Sequence, residues 1–347
     1  MSSLMIETSE DIPIEQTSVT QGAPLVPDSD ASDTDSAIGE SVAGSFYSAS
    51  LASSVLNYTY ENGRRYHAYR EGNYLLPNDE KEQERLDMMH HICRMAIGGA
   101  IFRAPLHESL RVQRVLDMGC GTGLWTITFA DDWPEAVVIG TDLSPIQPSW
   151  VPPNCKFYVD DIEREWTYPP AERFDYIHGR ALLGSISDWR KLFSNAFNNL
   201  NPGGILEIQE RPTDVQSDDG GKIHVPHMAD WLDKLNDGLS AIGKPSRIIH
   251  LLKGYMEEAG FLDVREEIYK LPIGPWAKGR RNKELGLFFL AHCANSAEPY
   301  TLALFTRVLG YSAEEVHAIL ERVKIELRNP RAHLYIPLYF VWGRKPG

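Results

Sequence analysis

From residue 111 onward, short apolar runs alternate with amphipathic stretches. Arg114–Met118 reads as a buried strand and Leu124–Ala130 as the helix after a glycine turn. Ala136–Thr141, Lys156–Val159 and Phe174–His178 read as further strands. Asp188–Leu200 puts Trp189, Leu192, Phe193, Ala196, Phe197 and Leu200 on one helical face; Asn201-Pro202-Gly203-Gly204 stops it, and Ile205–Gln209 is a fifth strand. Strands alternating with helices predict parallel pairing and an α/β, three-layer, doubly wound sheet. Ahead of this pattern, Asn78 is a predicted N-cap, with Asp79, Glu80 and Glu82 in the first turn. Leu86, Met89, Cys93 and Ala96 follow at helical spacing, and Gly98-Gly99 closes the element. Behind it, helices are predicted at Met228–Ala241 and Ile248–Ala259, and strands at Val264–Leu271 and Leu334–Trp342. A capping box, Ser312 to Glu315, opens a helix to about Leu327. This helical insertion between the last two strands is expected to help wall a substrate pocket.

Residues 1–56 lack any sustained apolar period and are rich in Ser, Asp, Thr and Pro, which predicts a disordered, acidic leader. Charge sharpens that division. Of 48 carboxylates ten fall in residues 1–63, which hold none of the 34 Lys and Arg side chains. The formal charge of −14 is therefore −4 over the other 284 residues. A nearly neutral body lacks the basic stripe that phosphate neutralisation needs, so direct nucleic-acid binding is not expected. No apolar run approaches the roughly 20 residues of a membrane span, and the acidic start does not resemble a secretory leader. Cys93, Cys120, Cys155 and Cys293 are far apart, which argues against a disulfide framework and for a reducing, cytoplasmic setting.

The most informative stretch is Val115-Leu116-Asp117-Met118-Gly119-Cys120-Gly121-Thr122-Gly123-Leu124-Trp125. A glycine turn between strand and helix lets a ligand approach the backbone and aims helix-terminal N–H groups at it. A dinucleotide fingerprint would place its third glycine at 124, where Leu stands, so an NAD-dependent dehydrogenase is disfavoured. Glycines at 119, 121 and 123, preceded by Asp117, suit a ligand with an amino-acid end whose ammonium wants a carboxylate. S-adenosylmethionine (SAM) fits. The next strand ends at Asp142, followed by Leu143, where an acid chelates ribose hydroxyls. The third ends in Asp160-Asp161-Ile162, suited to accept from an adenine amino group and to pack on its ring.

These motifs make the chain similar to class I SAM-dependent methyltransferases, and within them to the fungal LaeA-like methyltransferases of secondary metabolism. The finer resemblance is carried by Gly63-Arg64-Arg65-Tyr66-His67-Ala68-Tyr69-Arg70, by Leu76-Pro77-Asn78-Asp79-Glu80, by residues 140–154 with their proline-rich link, and by Phe174-Asp175-Tyr176-Ile177-His178-Gly179-Arg180. It covers residues 61–210 well and the remainder loosely. The resemblance implies a Rossmann-like, seven-stranded sheet with an antiparallel last strand, and a role in making fungal natural products or regulating their making. The expected division is a leader (1–56) and a methyltransferase domain (57–347). The latter comprises a helical N-terminal cap (57–110), a SAM-binding core (111–212), and substrate-side helices with the final strands (213–347).

Methyl transfer from SAM is largely a matter of positioning; a base is needed only where the acceptor must lose a proton. His178 and Glu210 are the candidate catalytic groups, each closing a strand at the ligand edge. Arg180 is a candidate to orient an acidic group, and Glu207 is expected to pair within the fold. Tyr66, His67, Tyr69 and Arg70 are a candidate lid. His224, His227 and Asp230 are not assigned a metal, and Lys278–Lys283 reads as a solvated basic loop rather than a nuclear signal. The expected acceptor is a small molecule. The alternative is a regulator acting through protein partners, with a nuclear location.

Overall fold

The computed structural model describes residues 58–67, 75–106 and 111–347; the expected leader, and Tyr69 and Arg70 of the expected lid, lie outside them. Its centre is a seven-stranded sheet in the order β5-β4-β3-β6-β7-β9-β8. The strands are β3 (Arg114–Met118), β4 (Val137–Asp142), β5 (Cys155–Val159), β6 (Phe174–Arg180), β7 (Leu200–Glu210), β8 (Leu262–Pro272) and β9 (Tyr335–Arg344). β3 to β7 pair in parallel, while β9 runs antiparallel to both β7 and β8. A separate antiparallel hairpin joins β1 (Thr59–Glu61) to β2 (Arg64–Tyr66). Its two-residue turn, Asn62-Gly63, has φ of 50° and 74°, the left-handed conformation that lets a tight turn match the twist of its strands.

The described helices are α1 (Glu80–Ala96), α2 (Leu124–Asp132), α3 (Trp189–Asn199), α4 (Pro226–Ala241), α5 (Leu252–Glu258), α6 (Arg280–Arg307) and α7 (Ala313–Leu327). Side chains alternate across each strand, so Val115, Val138, Tyr176 and Ile205 enter one apolar core, with α1, α2, α4, α6 and α7. Leu116, Ile139, Ile177 and Leu206 enter the other, with α3 and α5. No described helix is long and apolar enough to cross a membrane.

Three expectations need correction. The N-cap of α1 is Asp79, whose carboxylate accepts from the Glu82 amide at 3.0 Å; Asn78 instead donates to Ser144 Oγ at 3.3 Å. Asn201–Gly204 does not separate α3 from its strand, because β7 already begins at Leu200. Gly203 and Gly204 exchange backbone hydrogen bonds with the chain after β9, at Lys345, so chain-stopping residues are held in the ladder. Finally, Arg280–Lys283 is the first turn of the 28-residue α6, not a loop. Arg281 donates to the carbonyl of Met95 at 2.6 Å, satisfying the C-terminal turn of α1. The capping box at Ser312 and Glu315 is present as expected.

Candidate functional site

The carboxyl ends of β3, β4, β5 and β6 open into a cleft lined by Gly119, Gly121, Asp142, Leu143, Asp160, Asp161 and Ile162. Seven of the nine expected cofactor-binding residues thus share one wall. A smaller lobe shares Leu86, Gly119, Gly121, Arg180 and Ala181 with it and adds Asp117, Trp125 and His178. The ninth, Gly123, lines neither lobe. It sits at the N-cap of α2 with φ 81°, where a Cβ would meet the Phe157 ring at 2.4 Å. Its job is close packing of helix start against strand.

Asp142 is held by two backbone donors: Gly121 N gives to Oδ2 at 2.8 Å and Ser144 N to Oδ1 at 2.9 Å. Burial pushes its carboxyl up, against those hydrogen bonds. Each oxygen keeps a second lone pair for a ligand hydroxyl. Asp161 accepts from Glu163 N at 3.0 Å with Oδ1, a turn that fixes the acid and Ile162 at the rim.

Asp117 does not present a free carboxylate. Thr126 Oγ1 donates to Oδ2 at 2.6 Å, and His178 Nδ1 lies 2.8 Å from Oδ1. A carboxylate partner requires the proton on Nδ1, which leaves Nε2 as an acceptor. Nε2 is buried and has no protein partner among the described residues. The His178 ring stacks on Trp125 at 3.8 Å and 4°, so its orientation is fixed on two sides. Arg180 donates to His90 Nδ1 at 3.1 Å, and burial followed by Arg180 lowers that imidazole to about 2, keeping it neutral.

Glu210 lies behind the cleft rather than in it. Its Oε1 accepts from Leu182 N at 2.5 Å, its Oε2 is buried without a partner among the described residues, and burial pushes the carboxyl up to about 8. Glu207 accepts from the amides of Arg103 and Ala104 at 3.0 and 2.6 Å and from Gln209. Tyr66 and His67 are buried, and neither lines the cleft. Among the described residues no cluster of three or more His, Cys, Asp or Glu is placed to hold a metal.

Sequence reasoning missed the far wall: Pro77, Asn78, Glu82 and Leu86 at the start of α1, with Ser144, Ile146 and Lys244. Two observations test whether SAM fits. A Cβ on Gly119 would meet Leu182 at 2.6 Å, so the turn is stripped to backbone where a ligand must approach. His178, whose Nε2 has no partner among the described residues, lines the lobe beneath that turn, and in the neutral ring that atom can accept from an ammonium. The donor and acceptor set fits.

A family model described as a methyltransferase domain matches residues 63–266. Methyltransferase pytC of Aspergillus terreus is 38% identical over 298 residues, covering 86% of this chain and 91% of that protein. The secondary metabolism regulator laeA of Aspergillus flavus is 35% identical, covering 82% of this chain and 77% of that protein. The secondary metabolism regulator LAE1 of Cochliobolus heterostrophus is 33% identical, covering 82% and 94%. Sheet order, glycine turn and kinship agree: the chain belongs to the methyltransferase-domain family, as a class I SAM-dependent methyltransferase related to the LaeA-type proteins of fungal secondary metabolism.

Proposed function

We propose that the protein methylates a small molecule in a secondary-metabolite pathway, holding SAM along the wall from Gly119 to Ile162. The observation that carries this is the shared wall itself: the glycine turn, Asp142-Leu143 and Asp160-Asp161-Ile162 meet in one cleft at successive strand ends. When bound, SAM supplies a methyl group on a sulfonium, reactive enough that positioning accounts for much of the rate enhancement. Asp142 binds the ribose hydroxyls, and Asp161 with Ile162 holds the adenine. His178 Nε2 accepts from the ammonium, and Asp117 acts through it by fixing the tautomer. In this arrangement His178 is a binding residue. Glu210, protonated up to about pH 8, holds the Leu182 amide of the cleft wall in place.

Identity to the laeA and LAE1 proteins favours a second reading, a regulator working through protein partners. The small-molecule reading is supported by the apolar side chains that line the same cleft, Leu86, Ile146, Leu182 and Ile186. Isotopically labelled SAM added to fungal extract separates the two. Label is expected in a low-molecular-mass product; label confined to protein overturns the small-molecule reading.

A further inference from the structure

Beyond Glu210 lies a second cavity that shares no lining residue with the cleft. Its walls are apolar, with Trp231 and Leu235 from α4, Ile273 after β8 and Ile336 from β9. Its polar lining is Arg211, His292 and Tyr300 with Thr213, Ser296 and Asp214, whose carboxylate is paired with Lys222 at 3.1 Å. Arg211 directly follows Glu210, whose Oε1 holds Leu182 of the cleft, so the two spaces lie on either side of the end of β7.

The hydrogen-bond arithmetic at that end is one-sided. His292 is fully buried, and its Nε2 lies 3.4 Å from Arg85 Nη1 and 3.5 Å from Arg211 Nη2. Guanidinium nitrogens only donate, so Nε2 accepts and the ring proton sits on Nδ1. Burial, then Arg85 and Arg211, hold the ring neutral. That Nδ1–H has no acceptor among the described residues, and neither has the Nε–H of Arg211. Arg85 is ion-paired to Glu82 at 2.5 Å. Arg211 donates to the Tyr300 hydroxyl at 3.0 Å, which leaves that hydroxyl's own proton to give. Two unmet donors, a tyrosine hydroxyl and a positive charge thus belong to residues that line one apolar space. Buried donors of this kind destabilise the fold when left unmet.

We infer that this cavity binds an apolar molecule bearing one anionic oxygen group, a carboxylate, enolate or phenolate. The oxygen meets Arg211 and His292, and the skeleton lies between α4 and β9. Because the cavity shares no lining residue with the cleft, this is a site apart from the methyl donor, and its binding does not rest on the function proposed above.

The test is calorimetry on the full chain with 2-naphthoate, and with 2-methylnaphthalene as the same skeleton without the acid. Saturable, one-to-one naphthoate binding is expected, with 2-methylnaphthalene weaker. Arg211→Gln is expected to weaken naphthoate tenfold or more and leave 2-methylnaphthalene unchanged. Leu235→Trp, which fills the cavity, is expected to abolish both while SAM affinity stays within twofold of the parent. Should Arg211→Gln fail to fold, Tyr300→Phe and Leu235→Trp carry the comparison. No naphthoate binding, equal binding of the two probes, or full naphthoate affinity in Leu235→Trp overturns the inference. Loss of SAM binding in the parent chain would sink the cofactor reading and leave these titrations standing.

Discussion

Along the sheet-edge wall of the cleft, the lining is largely glycine backbone and short carboxylates at strand ends, fixed by main-chain hydrogen bonds. Asp142 is held by the amides of Gly121 and Ser144, and Asp160 N bonds to Asp142 O at 3.0 Å. In the cavity beyond Glu210 the facing groups are long side chains drawn from α4, α6, β9 and the ends of β7 and β8. The first surface can change shape only by breaking the sheet. The second changes with any rotamer or single substitution in a helix. The molecule therefore pairs a backbone-built edge with a side-chain-built pocket, the first constrained by the sheet and the second free to vary.

The largest effect should come from the edge's tightest point. Gly123→Ala combines a left-handed φ with a Cβ 2.4 Å from the Phe157 ring, and should cost about 2–4 kcal/mol of stability. Chemical denaturation measures it; a loss below about 0.5 kcal/mol would mean the edge yields as readily as the cavity. Next, Asp142→Ala should weaken SAM tenfold or more, the roughly 1.5–3 kcal/mol of charged hydrogen bonds, with naphthoate affinity unchanged. Equal losses in both titrations would erase the distinction between the two surfaces. The smallest effect belongs to Glu210, on the partition between them. Its folded carboxyl is raised to about 8, so the folded chain holds a proton that the unfolded chain releases near the ordinary glutamate value of 4.5. Stability should then fall as pH rises from about 4.5 to 8. Glu210→Gln should flatten that slope, by about 1 kcal/mol or more across the window. An unaltered melting profile against pH would show that Glu210 is ionised throughout.

What the sequence discloses follows the same division. Asp117, Gly119, Gly121, Asp142 and Asp161 could be found because each lies at the end of a strand that its own neighbours define. Distance along the chain tracks position along the sheet edge. Arg211, His292 and Tyr300 carry no such signature, since they meet only after α6 crosses over the sheet. The burial of Glu210 was equally silent, for a glutamate at a strand end reads as a ligand-facing group until the loop at Leu182 is placed over it. The Asn62-Gly63 hairpin signal was legible, and flanking strands of only three residues hid it. Lys278–Lys283 misled because basic residues are common in loops; here Arg281 closes the end of another helix.

One small cluster sets how the roof of the cleft is fastened. Asp79 caps α1 and also takes the Nε and Nη2 of Arg64 at 2.6 and 2.9 Å and the amide of Arg65. Arg64 in turn reaches Glu298 of α6 at 3.3 Å. A single carboxylate thus starts the helix and clasps the hairpin, and one guanidinium ties both to the helix that lines the second cavity. Because Pro77, Asn78 and Glu82 line the cleft beside that clasp, the placing of its far wall depends on contacts made outside it.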